Sequence, residues 1–90
     1  MALKSVKGTI IVTDQKGEKH TINADDLDFE EVERNQREMG PEIRYMAEAD
    51  YGDWSITAEV WEYPQGSFNH HEITVEGASH EGDFDYELEA

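Results

Sequence analysis

Histidine is the side chain best suited to acid–base or metal chemistry near neutral pH, because imidazole has its ordinary pKa in that range. The chain contains four histidines. His70 and His71 are adjacent, so on a strand they point to opposite faces and cannot hold one metal ion together. His70 shares a face with Glu72, and a loop that folds back would add His80 and Asp83. Nitrogen and oxygen ligands suit zinc or another divalent transition metal, which makes this set an alternative candidate for a metal or small-ligand site. The competing interpretation is that these are solvated strand and loop residues.

Carboxylates are too abundant for any pair to be singled out as a general acid and base. The chain has 22 acidic residues in 90, so close pairs arise from composition alone. It has no cysteine, no Gly-x-Ser-x-Gly nucleophile elbow, no phosphate-binding glycine loop and no dinucleotide fingerprint. We therefore expect a protein that is not an enzyme and that carries no cofactor.

Aromatic residues form the most distinctive pattern. Ile56, Ala58 and Val60 alternate along one predicted strand, which leaves Trp61 and Tyr63 on its other face beside Glu59. The next strand would place Phe68, His70 and Glu72 beside Trp61 and Tyr63 on the same face. The resulting candidate binding set, called here the recognition patch, is Trp61, Tyr63, Phe68, Glu59, Glu72 and His70. Large rigid rings with a charged rim are typical of a protein recognition surface. The alternatives are that a helix or the N-terminal hairpin covers this face, or that it forms a homodimer interface.

Alternation of apolar and polar residues predicts the elements that would position this patch. From Ile43 onward the period is two, which predicts four successive antiparallel strands, with one hairpin turning at Pro64-Gln65-Gly66 and the last strand running from Asp83 to Glu89. The side chains predicted to be buried are Ile56, Ala58, Val60, Ile73, Val75, Phe84, Tyr86 and Leu88.

Residues 28–39 carry several helix signals. Asp28 is a suitable N-cap, Glu31 falls at the capping-box position, and Gly40 followed by Pro41 makes a natural stop. The apolar face of such a helix would be thin, however. A competing interpretation makes residues 27–34 a strand and residues 35–42 a loop.

The N-terminal segment reads as a β-hairpin, with Gly17 supplying a positive φ in the turn. The predicted fold is therefore α+β: this hairpin, one short helix at about residues 28–39, and a C-terminal four-stranded meander, in a single small acidic domain over residues 1–90. The alternative is an all-β sandwich or barrel.

Charge is unevenly distributed along the chain. The formal net charge is −15, and every Lys and Arg lies between Lys4 and Arg44, so residues 45–90 carry 12 acids and no base. Such a field repels nucleic acid and anionic membrane surfaces and attracts basic ones. A role in solubility alone would also account for this excess of negative charge.

Taken together, these patterns predict a non-catalytic interaction or accessory protein. Its expected partner is a protein with a basic surface, or a second copy of the chain, and a decoy that imitates the charge of DNA is one special form. We expect no direct contact with nucleic acid or membrane. The absence of cysteine and of an apolar leader or span predicts a cytoplasmic location.

Overall fold

The computed structural model describes residues 3–63 and 68–88, and strands make up 73% of them. Apart from one 3-10 turn at Ala24–Asp26, the elements found there are all strands. They are β1 (Leu3–Thr13), β2 (Lys19–Asn23), β3 (Glu30–Arg37), β4 (Gly40–Asp50), β5 (Ser55–Glu62), β6 (His70–Glu76) and β7 (Ser79–Leu88). The predicted turn at Pro64-Gln65-Gly66 and the end of the last predicted strand, Glu89, lie outside the described residues.

The strands form two antiparallel sheets. One has the order β2-β1-β7 and the other the order β3-β4-β5-β6. Buried residues of both sheets belong to one apolar cluster, so a single core lies between them. This arrangement is nearer to the predicted sandwich alternative than to an α+β fold. The barrel alternative is wrong for the described residues, because the two sheets do not close on each other.

Apolar alternation on each strand creates the core. β5 contributes Ile56, Ala58 and Val60, all at most 1% exposed, as the sequence predicted. Phe84 is also buried as predicted, at 2% exposure. The other predicted core residues, Ile73, Val75, Tyr86 and Leu88, are half-buried and pack against this cluster. Removing such side chains from water is the main favourable contribution to the stability of a domain this small.

The predicted helix at residues 28–39 is wrong, because most of this segment is strand β3. β3 pairs with β4 at the edge of its sheet, with Arg34 opposite Ile43 and Arg37 opposite Gly40. Of the apolar residues predicted for the helix face, Val32 and Met39 are 44% and 65% exposed, whereas Phe29 is half-buried against the core. With so little apolar area to bury, a helix gains less from packing than a strand gains by completing the ladder along β4. Among the described residues, no helix has the length and apolarity to cross a membrane.

The predicted four-stranded C-terminal meander is also wrong in its last strand. β4, β5 and β6 do follow one another in a meander, but β7 leaves that sheet and pairs with β1 along its length. The change of sheet occurs at Gly77, where φ is +81° and a Cβ atom would collide with the backbone oxygen of Asp53. Only glycine adopts this conformation so close to another backbone without strain.

The N-terminal hairpin is confirmed. β1 and β2 pair from Thr9 opposite Asn23 to Thr13 opposite Lys19. Gly17 has the predicted positive φ, at +84°, in the turn that joins them. This turn lies beside the β4–β5 connection, and the two segments line one cleft.

Candidate recognition surface

The outer face of the four-stranded sheet carries the predicted recognition patch. On β5, Val60 points inward and Trp61 therefore points outward. Trp61 lies opposite His70 of β6 and Arg44 of β4 in the ladder. Directly paired residues of antiparallel strands share a face, so these three side chains are neighbours.

Four rings of the patch contact one another. Trp61 stacks on His70 with ring centroids 4.5 Å apart and planes 11° apart. Tyr63 lies over His70 at 5.9 Å and meets Phe68 edge-on at 6.3 Å. These are offset-stacked and edge-to-face geometries that aromatic pairs favour. Phe68 is 74% exposed, so this cluster presents an apolar ring to solvent.

Two hydrogen bonds hold the ends of β5 and β6 in place around these rings. The backbone N–H of Tyr63 donates to Asn69 Oδ1 at 2.6 Å. His70 Nδ1 lies 2.9 Å from the carbonyl oxygen of Phe68. Because a carbonyl only accepts, this contact assigns the proton to Nδ1 and leaves Nε2 as the nitrogen available to a partner when the ring is neutral.

The carboxylates of the patch lie next to the rings. Glu59 is opposite Glu72 in the ladder. Arg44 Nε lies 3.0 Å from Glu59 Oε2, so this carboxylate is partly neutralised. Within residues 3–63 and 68–88, Glu72 makes no ion pair and is exposed. Arg44 was not among the residues predicted for this face, although its position one residue after the inward-facing Ile43 indicates the outer face.

All six residues of the recognition patch thus lie on or beside one sheet face, in contact or in register. No protein-family model, curated protein or solved structure matches this chain.

The alternative metal set of His70, Glu72, His80 and Asp83 is not brought together. His70 and Glu72 point outward, whereas Asp83 bonds to His71 on the other side of β6, with His71 Nε2 at 2.9 and 3.0 Å from its two oxygens. His71 also contacts the rings of Phe84 and Tyr86. The expectation that His70 and His71 point to opposite faces is confirmed.

Asp83 is held as a carboxylate by its neighbours. Burial acts to raise the pKa of Asp83, but the hydrogen bond from the backbone N–H of Phe84 and the one with His71 act against it, and the net pKa lies below its ordinary value. This pair links β6 of one sheet to β7 of the other, six residues before and six residues after Gly77.

A second cluster, not identified from the sequence, lies at the β1–β2 turn. Asp14 Oδ1 accepts hydrogen bonds from the backbone N–H groups of Lys16 and Glu18, at 2.9 and 3.0 Å. Its other oxygen, Oδ2, lies 2.9 Å from His20 Nε2. The hydrogen bond with His20 is the largest influence on the pKa of Asp14 and lowers it, although burial acts in the opposite direction. Glu18, the last residue before β2, is only two residues from His20, and Asp14 lies at the other end of the same short turn. This closeness in the sequence is the signal that could have identified the cluster.

The cluster borders a cleft, called here the turn cleft, of about 430 Å³. Trp54 forms its apolar wall: this side chain is 5% exposed, stacks on Tyr51 at 4.3 Å, and lies 5.2 Å from the His20 ring. The residues around the cleft are Asp14, Gln15, Lys16, Glu18, His20, Tyr51, Asp53 and Trp54.

One buried carboxyl group lies apart from both clusters. Glu62 has the inward parity of Val60 and is 5% exposed. Tyr45, from the neighbouring strand, donates its hydroxyl hydrogen to Glu62 Oε1 at 3.3 Å. Burial, reinforced by the negative charge of Glu62, raises the pKa of Tyr45 to about 12. The pair satisfies two polar groups that would otherwise be costly to bury.

Proposed function

We propose that this chain is a non-catalytic interaction protein that binds a basic protein surface through the recognition patch. The observation that carries the proposal is the ring cluster around Trp61 and His70, which sits on an outer sheet face and ends in the exposed Phe68. A lysine or arginine of the partner could lay its apolar stem on these rings while its charged end pairs with Glu72. Such contacts combine apolar burial with a charge-assisted bond.

Charge supports the same choice of partner. Residues 45–90, which contain the whole recognition patch, have 12 acidic side chains and no basic one. This field accelerates encounter with a basic surface and opposes approach to nucleic acid or an anionic membrane. A decoy that imitates the charge of DNA would be one special form of such a protein. We also propose a cytoplasmic location, which the cysteine-free composition supports.

Substituting Trp61 with alanine is expected to weaken partner binding by about 2 kcal/mol or more, roughly 30-fold in Kd. The ring spans the middle of the patch, so its loss removes both apolar contact and the platform beneath His70. The partner is first captured from a cell extract and identified by mass spectrometry. Titration calorimetry with the purified partner then gives Kd for the wild-type chain and for Trp61→Ala.

Two charge reversals, one inside the patch and one outside it, form a matched pair, because each changes the net charge by the same amount. Glu72→Lys, within the patch, should speed dissociation of the complex. Glu87→Lys, on β7 in the other sheet, should chiefly slow association. An acidic partner, or a Kd that Trp61→Ala leaves unchanged, would refute the proposed function.

A further inference from the structure

The turn cleft contains three side chains of metal-ligating type that already converge. Asp14, Glu18 and His20 each offer one ligand atom, and these atoms all lie within 4.8 Å of one another. We propose that the β1–β2 turn binds a first-row divalent transition metal ion through Asp14, Glu18 and His20. This site differs from the proposed recognition patch, which lies roughly 23 Å away along β5 and on its other face, at ~3.3 Å per residue from Trp54 to Trp61.

The distances suit such an ion. Bonds of about 2.0–2.2 Å from a metal to nitrogen and oxygen place neighbouring ligand atoms about 3 Å apart and opposite ones about 4.2 Å apart. Asp14 Oδ2 and His20 Nε2, at 2.9 Å, already have the spacing of neighbouring ligands. Glu18 is exposed, so its carboxylate can rotate to bring its oxygen, which already lies within 4.8 Å of the other two ligand atoms, to bonding distance from the ion.

Two of the three ligands, Asp14 and His20, are oriented before any ion binds. Asp14 is fixed by its two backbone hydrogen bonds, and the turn itself is closed by a bond from Asp14 N to the Glu18 carbonyl oxygen at 2.9 Å. The His20 ring lies against Trp54, which limits its motion. Asp14 and His20 therefore lose little side-chain freedom when an ion binds, and this raises the affinity of a small site.

The ligand types and the surroundings select the kind of ion. One imidazole nitrogen with two carboxylate oxygens suits Zn²⁺, Co²⁺, Ni²⁺ or Mn²⁺, whereas Mg²⁺ and Ca²⁺ prefer oxygen ligands throughout. Asp53, which also lines the cleft, adds a further negative charge. The His20 side chain is 37% exposed, so one side stays open and waters can complete the coordination.

Trp54 provides the readout. The chain has two tryptophans, so a Trp61→Phe background leaves Trp54 as the sole fluorophore. Ni²⁺ or Co²⁺ bound at His20 Nε2 would quench this fluorophore, because the two rings are only 5.2 Å apart. In this background we expect saturable quenching at one ion per chain, with Zn²⁺ competing for the same site.

His20→Ala and Glu18→Gln, each added to that background, should weaken binding at least about tenfold, since even the groups that merely orient metal ligands are worth this much. Glu18 is exposed, so Glu18→Gln tests the site without disturbing the fold. His70→Ala is the matched control, as it removes an imidazole from β6, beside position 61 at the far end of β5, and should leave quenching unchanged.

Calorimetric titration of the wild-type chain with Zn²⁺ should give the same stoichiometry. The proposal is overturned if quenching does not saturate, if His20→Ala binds as tightly as the background, or if Mg²⁺ competes as well as Zn²⁺. The last result would mean that the ion is attracted by the acidic surface alone. None of these outcomes depends on whether the recognition patch binds a partner.

Discussion

Phe84→Ala is expected to destabilise the fold by about 3–5 kcal/mol, the range for deleting a buried phenylalanine ring. Phe84 is 2% exposed and belongs to β7 of the three-stranded sheet. Its ring lies 4.7 Å from that of His71, on β6 of the other sheet, and 5.9 Å from that of Phe29. The cavity would therefore open between the two sheets. A domain of this length has a total stability of about 5–13 kcal/mol, so much of it would be lost.

Chemical denaturation followed by circular dichroism measures this effect. Phe68→Ala is a matched control, because it removes the same ring from a position that is 74% exposed. We expect the control to change the free energy of unfolding by less than about 0.5 kcal/mol. Equal losses in the two variants would show that Phe84 does not join the sheets as described.

Raising the pH from about 10 to 12 is expected to cost the protein about 2–3 kcal/mol of stability through Tyr45. In the folded state the pKa of Tyr45 is about 12, whereas an unfolded tyrosine ionises near 10. The stabilising contribution is complete below pH 10 and is lost as the pH rises to about 12, because the unfolded chain releases a proton that the folded chain retains. Each pH unit in this window costs about 1.4 kcal/mol.

Unfolding free energies measured across this range test the expectation. Tyr45→Phe should be less stable at neutral pH, since Glu62 loses its hydrogen bond, but should show a smaller decline from pH 10 to 12. Tyr51→Phe, at a position that is 52% exposed, should keep the wild-type slope. A Tyr45→Phe slope identical to that of the wild type would contradict the assignment of the raised pKa to Tyr45.

Sequence pattern predicted the local features of this fold well. Strict alternation from Ile43 onward identified β4, β5 and β6 and the correct faces of Ile56, Ala58 and Val60. Alternation reports which side of a strand is buried, and it does so without knowledge of the partner strand. Alternation does not indicate which strand pairs with β7, because that pairing joins β7 to β1 at the other end of the chain.

The predicted helix failed for a related reason. Asp28 and Glu31 resemble a helix cap, but capping contributes only about 1 kcal/mol and depends on a helix that has something to pack against. β3 gains instead from cross-strand pairs, with Arg37 bonded to Glu42 and Arg44 to Glu33. Such pairs form only when β4 lies beside β3. No residue pattern within residues 28–39 indicates that β4 will be the neighbouring strand.

The two candidate sites also differ in how far they depend on contacts between distant parts of the chain. The recognition patch was found because Trp61 and His70 belong to consecutive strands, where parity and a short connection are enough to place them together. The turn cleft was missed because its apolar wall, Trp54, comes from a distant part of the chain. The Asp14 and His20 ligand pair, by contrast, is local and could have been derived from the hairpin.

The pairing of β1 with β7 determines when the protein can complete its fold during synthesis. The 65 residues between Thr13 and Ser79 must all be made before β1 meets its second neighbour. At ~5–20 residues per second this delay is about 3–13 s, during which one edge of β1 and its apolar side chains Ile10 and Val12 lack their final cover. Unpaired edges of this kind promote association between nascent chains. The acidity of the emerging chain opposes that association by mutual repulsion, because residues 1–78 already carry 17 acidic and 7 basic side chains, a formal net charge of −10.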